Sequence, residues 1–438
     1  MDAALEASTM RKVYLRLLPF AVVCYILAYI DRINGAFAAL TMRGDLHMSA
    51  ADYGFAVGTF YWAYFLFEVP SNVIMEKVGA RIWIARIMVT WGIFATATAF
   101  VTGPVSFGIL RFLLGMGEAG FFPGLILYFT YWFPARHHAR IVSGFLVGLP
   151  IAVAVGAPIS TGLMSLHGLF GLKGWQVMYI AEGLPTIVLG VLFYFVMTNK
   201  PEEATFLTRP EKDWLAGRIA AERKAKDAVR VYSLFEAMWN PKVLLLALNY
   251  FGIVTASLGM LFFIPQIIKS LGHSDNMTVG WLTMIPYICG GIALVVWGRI
   301  SDNMHERRWN LLLACVLSTG GLVLAGLTMG TWLAMVGMSL AAMGFYGSKG
   351  PFFAMPPMFL SGTALAAGIA WINSIGNLGG FFGPWWIGVM KDATGSYSGG
   401  LYGLALLSLI SAVVCALFLH IPDVTRAEET KQRLAPAE

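Results

Sequence analysis

Charged residues lie inside runs that are otherwise apolar, among them Asp31, Arg32, Arg111 and Glu118. Asp31 and Arg32 are neighbours. On a helix they point about 100° apart, so one can face a cavity while the other faces an adjoining helix. Arg111 and Glu118 are separated by two helical turns and share a face, roughly 10 Å apart along the axis. A charge at the centre of a bilayer costs at least about 2.5–3.5 kcal/mol, so each of these groups needs a partner, a cavity or a function. A buried carboxyl can take up and release a proton. An Arg fork meets both oxygens of a carboxylate, which Lys does not. Two readings follow. One is a set of structural ion pairs. The other is an anion site coupled to protons, with Asp31 and Glu118 as proton carriers and Arg32 and Arg111 as anion anchors.

The elements that must carry these residues are legible in the composition. Of 438 residues, 58% are apolar and 12% are charged. A soluble domain holds about 25% charged residues, so this chain cannot cover a soluble globule. The same numbers exclude disorder. Continuous apolar runs argue against the alternating strands of a membrane barrel. A helix needs roughly 20 apolar residues to cross the hydrocarbon layer. Twelve such runs are present, at about 17–41, 53–75, 82–101, 105–128, 139–163, 176–198, 243–268, 278–298, 309–328, 331–352, 359–389 and 398–420. The fold class is therefore all-α and polytopic, with twelve transmembrane helices in two six-helix bundles. The bundles span 1–198 and 243–438. Between them, 199–242 forms a polar cytoplasmic linker with an amphipathic segment near 210–228 that suits a membrane surface. Residues 1–16 are polar and the first run is long enough to span, which reads as an anchor and not a cleaved leader.

Charge fixes the orientation. With both termini in the cytoplasm, 23 of the 30 Lys and Arg fall on the inner side, four on the outer side and three inside spans. That is the positive-inside pattern, and it accounts for the net charge of +6 without nucleic acid. The halves echo each other: Asn72 to Arg81, with Glu76, Lys77 and Gly79, follows the second span, and Gly298 to Arg308, with Asp302, follows the eighth. Paired repeats of this kind imply two bundles rocking about a central site.

The turn Glu76-Lys77-Val-Gly79-Ala-Arg81 resembles the signature loop of the major facilitator superfamily, although Asn72 stands where that signature favours Gly and Glu76-Lys77 where it favours Asp-Arg. Further motifs resemble the anion:cation symporter family within it. These are Tyr29-Ile-Asp31-Arg32, Phe67-Glu68-Val-Pro70-Ser-Asn72, Arg111-Phe-Leu-Leu-Gly115-Met-Gly-Glu118-Ala-Gly120, Gly174-Trp175-Gln176 with Glu182-Gly183-Leu-Pro185, and Ile372-Asn373-Ser374-Ile-Gly376-Asn377. The branch is similar to bacterial tartrate, phthalate and hydroxyphenylacetate permeases, with galactonate, glucarate and hexuronate permeases more distant. The resemblance implies alternating access, Asp31 and Glu118 as coupling acids, and Arg32, Tyr29, Tyr64 and Asn373 at the substrate. It places Phe353 where galactonate-type relatives carry Trp, which keeps an aromatic wall and removes a hydrogen-bond donor. It also implies a bacterial inner membrane protein.

Lys349 lies late in the tenth run. It either snorkels to the interface or supplies a second cationic contact to substrate. Asn373 and Asn377 share a helix face in a stretch loosened by Gly376, Gly379, Gly380, Gly383 and Pro384. Interrupted helices are where transporters place ligands. Glu68, Glu76, Lys77, Arg81 and Asp302 are read as conformational gating residues, and Glu182 as structural. The four Cys lie inside apolar runs and read as small core residues. His137-His138 is a solvated pair, no metal site is expected, and no phosphate loop, dinucleotide turn or hydrolase triad is present. The chain is thus expected to be no enzyme, to need no cofactor and to draw on a proton gradient. Its expected partners are a small organic anion, protons and lipid, and nothing in the sequence demands more than a monomer. The function expected is proton-coupled import of a small carboxylate. The alternatives are a sugar-acid symporter, an exporter of aromatic compounds, or a sensor built on a transporter fold.

Overall fold

The computed structural model describes residues 2–134, 136–137, 141, 144–145, 148–227, 238–272, 275–304, 306–360 and 362–419. The reading of His138 lies outside the described residues, as do parts of the fifth span, of the linker and of the chain after residue 419.

Every regular element among the described residues is a helix. In chain order these are α1 (Asp2–Asp45), α2 (Ala50–Val78), α3 (Ala80–Ala97), α4 (Pro104–Glu118), α5 (Phe121–Thr130), α6 (Gly148–Met164), α7 (Gly174–Val196), α8 (Arg209–Asp227), α9 (Pro241–Ser270), α10 (Asn276–Met304), α11 (Arg308–Leu327), α12 (Leu333–Gly347), α13 (Lys349–Phe353), α14 (Gly362–Thr394) and α15 (Ser398–Phe418), with short 3₁₀ turns between some of them. Two compact units result: Met1–Ala228 with Leu261–Met284, and Val229–Met260 with Ile285–Glu438.

Eight stretches among the described residues are long and apolar enough to cross a membrane: Ala4–Asp45, Ala80–Phe100, Pro104–Thr130, Gly174–Val196, Pro241–Ser270, Asn276–Met304, Arg308–Leu327 and Ser398–Phe418. They fall on the first, third, fourth, sixth to ninth and twelfth of the apolar runs. The second run forms α2, where Tyr, Trp and the charges of Asp52, Glu68, Glu76 and Lys77 dilute the aliphatic content. The tenth breaks at Gly347 into α12 and the short α13, and the eleventh forms α14.

Local chemistry sets the boundaries. Ser49 and Asp52 form a reciprocal capping box at the start of α2 (Asp52 N to Ser49 Oγ 3.0 Å, Ser49 N to Asp52 Oδ2 3.1 Å). Pro104 opens α4, where a missing N–H costs nothing. The fourth run is not the continuous helix expected over 105–128. It breaks after Glu118, because Gly120 adopts φ +91° and a Cβ there would lie 2.4 Å from Ser71 Oγ. Gly115 serves another purpose. Its missing Cβ would sit 2.2 Å from the Phe60 carbonyl oxygen, so the backbones of α2 and α4 meet directly.

α8 is the amphipathic segment expected in the linker, and the amphipathic pattern alone did not show its anchor. Glu211 accepts hydrogen bonds from Lys12 Nζ (2.8 and 2.9 Å), Ser8 Oγ (2.9 Å) and Thr208 N (2.9 Å), which ties α8 to the polar start of α1. Burial opposes the charge on Glu211, but Lys12 first, then Thr208 and Ser8, outweigh it and hold the carboxyl at about 2 instead of 4.5. The clasp is therefore complete above pH 4.5 and is lost as pH falls toward 2. Lys12 is partly exposed, so the pair contributes about 1 kcal/mol or less. Lys12→Ala should raise limited proteolysis within 209–227 roughly two- to fivefold at pH 7. The difference from wild type should vanish as α8 docking is followed down through that pH window.

Candidate functional site

The first unit gathers the intramembrane charges of α1, α2, α4 and α7, with uncharged partners from α3 and α6. Arg32 is ion-paired through Nη2 to Glu118 Oε1. Its guanidinium lies over three rings, Tyr29 at 5.1 Å, Phe60 at 5.1 Å and Tyr64 at 5.2 Å to the centroids. Rings at this distance attract a cation while leaving its N–H groups in the ring plane directions available. Asp31, one residue earlier, points elsewhere, as adjacent helical positions must. Its Oδ2 accepts from Trp91 Nε1 (2.8 Å) and Thr186 Oγ1 (2.8 Å). Its Oδ1 is buried and makes no hydrogen bond.

Arg111 and Glu118 share a face of α4 without pairing with each other. Arg111 Nη2 donates to Tyr179 OH (3.1 Å) and Asn34 Oδ1 (3.3 Å). The same guanidinium occupies the space a Cβ on Gly35 would take, at 2.0 Å from Nη2. Exposure separates the four charges. Asp31 and Arg111 are 1% exposed and Glu118 2%, whereas the Arg32 side chain retains 16%. Arg32 is the least buried of the four. Oε2 of Glu118 makes no hydrogen bond, so Arg32 is its sole charged neighbour within ion-pair distance among the described residues.

In the second unit, Lys349 Nζ lies 4.8 Å over the Tyr346 ring. Tyr250 stacks on Phe352 (4.8 Å) and meets Phe353 edge-on (5.5 Å). Gly376 of α14 is pressed against Tyr250, with a Cβ position 2.1 Å from Cδ1. Asn373 and Asn377, on one face of α14, are half-buried. Lys349 is half-buried as well, and Phe353 is 37% exposed.

The gating residues sit at helix ends. Arg81 Nε donates to Tyr194 O (2.5 Å) and its backbone N to Asn199 Oδ1 (2.9 Å), closing the α2–α3 turn onto the end of α7. Glu76 and Lys77 are exposed there, and Glu76 helps line a cavity of about 700 Å³ between that turn, α5 and α8. Glu68 is buried, with Asn72 Nδ2 donating to its carbonyl at 2.8 Å. Asp302 pairs with Arg307 (2.5 Å) within the corresponding turn of the second unit.

Sequence reading had not singled out Trp91, Thr186, Tyr179, Asn34, Ser160 or Phe60. Two signals were available in the spacing. Asn34 is three residues after Asp31 and Thr186 four after Glu182, so each extends a charged face by one turn.

A family model described as "Major Facilitator Superfamily" matches residues 21–384 and 273–438. The chain is 47% identical over 427 residues to a protein of Agrobacterium vitis named "Putative tartrate transporter", covering 98% of this chain and 94% of that protein. It is 37% identical over 409 residues to the "Quinolone resistance transporter" of Acinetobacter baumannii, covering 93% and 94%. Its fold is similar to the crystal structure of a bacterial homologue of the human lysosomal transporter Spinster, with a TM-score of 0.76 at 15% identity over 96% of this chain and 98% of that one.

Proposed function

We propose that this chain, which belongs to the Major Facilitator Superfamily and is a multi-pass membrane transporter, imports a small organic anion of the tartrate class together with protons. The observation that carries this reading is the Arg32–Glu118 pair: the least buried guanidinium of the cluster is held by a buried carboxylate. A substrate carboxylate and Glu118 compete for the same fork. When Glu118 takes a proton it no longer needs the ion pair, and Arg32 is released to bind the anion bidentately. When the anion leaves, Arg32 recaptures an ionised Glu118 and the proton is given up. Proton and anion thus occupy the site together, which is the requirement for symport. Tyr29, Phe60 and Tyr64 fix the guanidinium, and Arg111 supplies a second positive charge to offset a dianion. Asp31, held by Trp91 and Thr186, is the second coupling acid.

Asn373, Lys349 and Phe353 are assigned to substrate from the second unit, and Glu68, Glu76, Lys77, Arg81 and Asp302 to the alternation of access. The assignment to bundles over 1–198 and 243–438, joined by a 199–242 linker, follows the same reading. So do a monomer in the bacterial inner membrane, both termini in the cytoplasm and the absence of any cofactor beyond the proton gradient. One observation favours a second reading: the Acinetobacter baumannii relative carries a resistance name, which suits an exporter of aromatic compounds. Counterflow in proteoliposomes separates the two. Preloaded unlabelled tartrate should drive entry of labelled tartrate, with phthalate and galactonate competing to different degrees and a fluoroquinolone not at all. Counterflow supported by the fluoroquinolone and not by any carboxylate would replace the import reading with the exporter.

A further inference from the structure

The buried cluster of the first unit contains a third carboxyl, Glu182, which the anion-binding reading does not use. It is 4% exposed, and Ser160 Oγ, itself fully buried on α6, donates to its Oε1 at 2.6 Å. Its Oε2 completes no hydrogen bond, although the Asn34 amide of α1 approaches it. Among the described residues no Lys, Arg or His is within ion-pair distance of it. An ionised carboxylate in this setting would be buried with one hydroxyl donor and no counter-charge, an arrangement proteins avoid by keeping the group protonated.

The neighbours of Glu182 tie it to Asp31. Thr186 lies one turn further along α7 on the same face and donates to Asp31 Oδ2, while Asn34 lies one turn along α1 from Asp31 and faces Glu182. Asn34 Oδ1 in turn accepts from Arg111. The ionisable groups facing Glu182 are therefore Asp31 from α1, Arg111 from α4 through Asn34, and Tyr179 from its own helix. Toward this point α3 presents Trp91 and α6 presents Ser160, neither of which titrates in the working range. Glycines make the approach possible: a Cβ on Gly183 would lie 2.5 Å from Thr96 Oγ1, so α7 rests directly against α3.

The geometry points to Glu182 as a third proton-binding group, linked to Asp31 across the α1–α7 contact. Two carboxyls within electrostatic reach of each other do not ionise independently. Protonation of one therefore changes the charge that the other feels. The charges agree with this. Against Arg32 and Arg111 stand Asp31, Glu118 and Glu182, so a bound dianion is neutralised in this cluster only when all three acids carry protons. Glu182 holds its proton in this arrangement and gives it up only where the α1–α7 contact changes, so its proton enters from the outer medium with the anion and leaves to the cytoplasm with it. The use of Glu182 in transport rests on the symport reading; its protonation does not.

Two measurements test the inference on the purified full chain. In infrared difference spectra recorded across a pH titration, wild type should show a protonated-carboxyl C=O band that is absent from Glu182→Gln and shifted in Glu182→Asp. The same spectra with no band change in Glu182→Gln would overturn the assignment. In proteoliposomes, the reversal potential for tartrate should show one proton fewer per turnover in Glu182→Gln, with counterflow retained and Glu182→Asp restoring the wild-type ratio. An unchanged ratio in Glu182→Gln would make the residue structural. Wild-type tartrate flux without protons would defeat the symport reading instead, and the infrared band would still decide whether Glu182 holds a titrating proton.

Discussion

Arg32→Ala is expected to lower tartrate affinity by at least about 30-fold in titration calorimetry on the detergent-purified protein. The magnitude follows from removing one member of a buried, hydrogen-bonded charge pair, about 2–5 kcal/mol, of which part is the cost of leaving the other charge alone. That second part is separable here. Arg32→Ala leaves Glu118 buried with no cation at ion-pair distance among the described residues, so the variant should also unfold at lower temperature. Arg32→Ala combined with Glu118→Gln should recover much of the stability and none of the binding. Arg32→Lys keeps the charge and loses the planar fork, so a loss of about tenfold is expected from a single missing bidentate contact. Affinity retained in Arg32→Ala would remove this residue from the anion site and leave Arg111 to carry it.

The second large effect is expected at Glu118. Gln is neutral and nearly isosteric, so Glu118→Gln imitates the protonated acid at every pH. Arg32 is then permanently released, and tartrate affinity should lose the part of its pH dependence that Glu118 supplies. Counterflow, which needs no net proton movement, should stay within about twofold of wild type. Accumulation against a gradient should be lost, because no proton can leave that site to reset the pair. Accumulation that persists in Glu118→Gln would rule Glu118 out as a coupling acid.

Much of this arrangement is legible in the chain because membrane burial makes charge expensive. Asp31, Arg32, Arg111 and Glu118 stand out on that ground alone, and the spans stand out as apolar runs. Their pairing is another matter. Spacing placed Arg111 and Glu118 on one face of one helix, yet Glu118 binds Arg32 from α1 and Arg111 binds Asn34 and Tyr179. Partners contributed by other helices depend on helix rotation and depth, which periodicity does not specify. The Gly115 to Gly120 stretch shows the same limit. Its small residues signalled close packing, which Gly115 provides against Phe60. Gly120 instead takes a left-handed conformation and ends the helix beside Glu118. A glycine's role, contact or break, depends on a backbone angle that its identity leaves open. Glu182, beside Gly183 and Pro185, reads as structural in the sequence. Its single hydroxyl donor and missing counter-charge became visible only with α6 and α1 in place.

The most direct measurement is simultaneous recording of tartrate and proton movement into proteoliposomes of the wild-type chain, with a pH-sensitive dye inside and labelled tartrate outside. Competition between the anion and Glu118 for Arg32 predicts that tartrate entry acidifies the lumen, that an inward proton gradient drives accumulation, and that a protonophore abolishes accumulation while sparing counterflow. Tartrate entry that leaves luminal pH unchanged and is indifferent to the proton gradient would contradict the competition, whatever the fold.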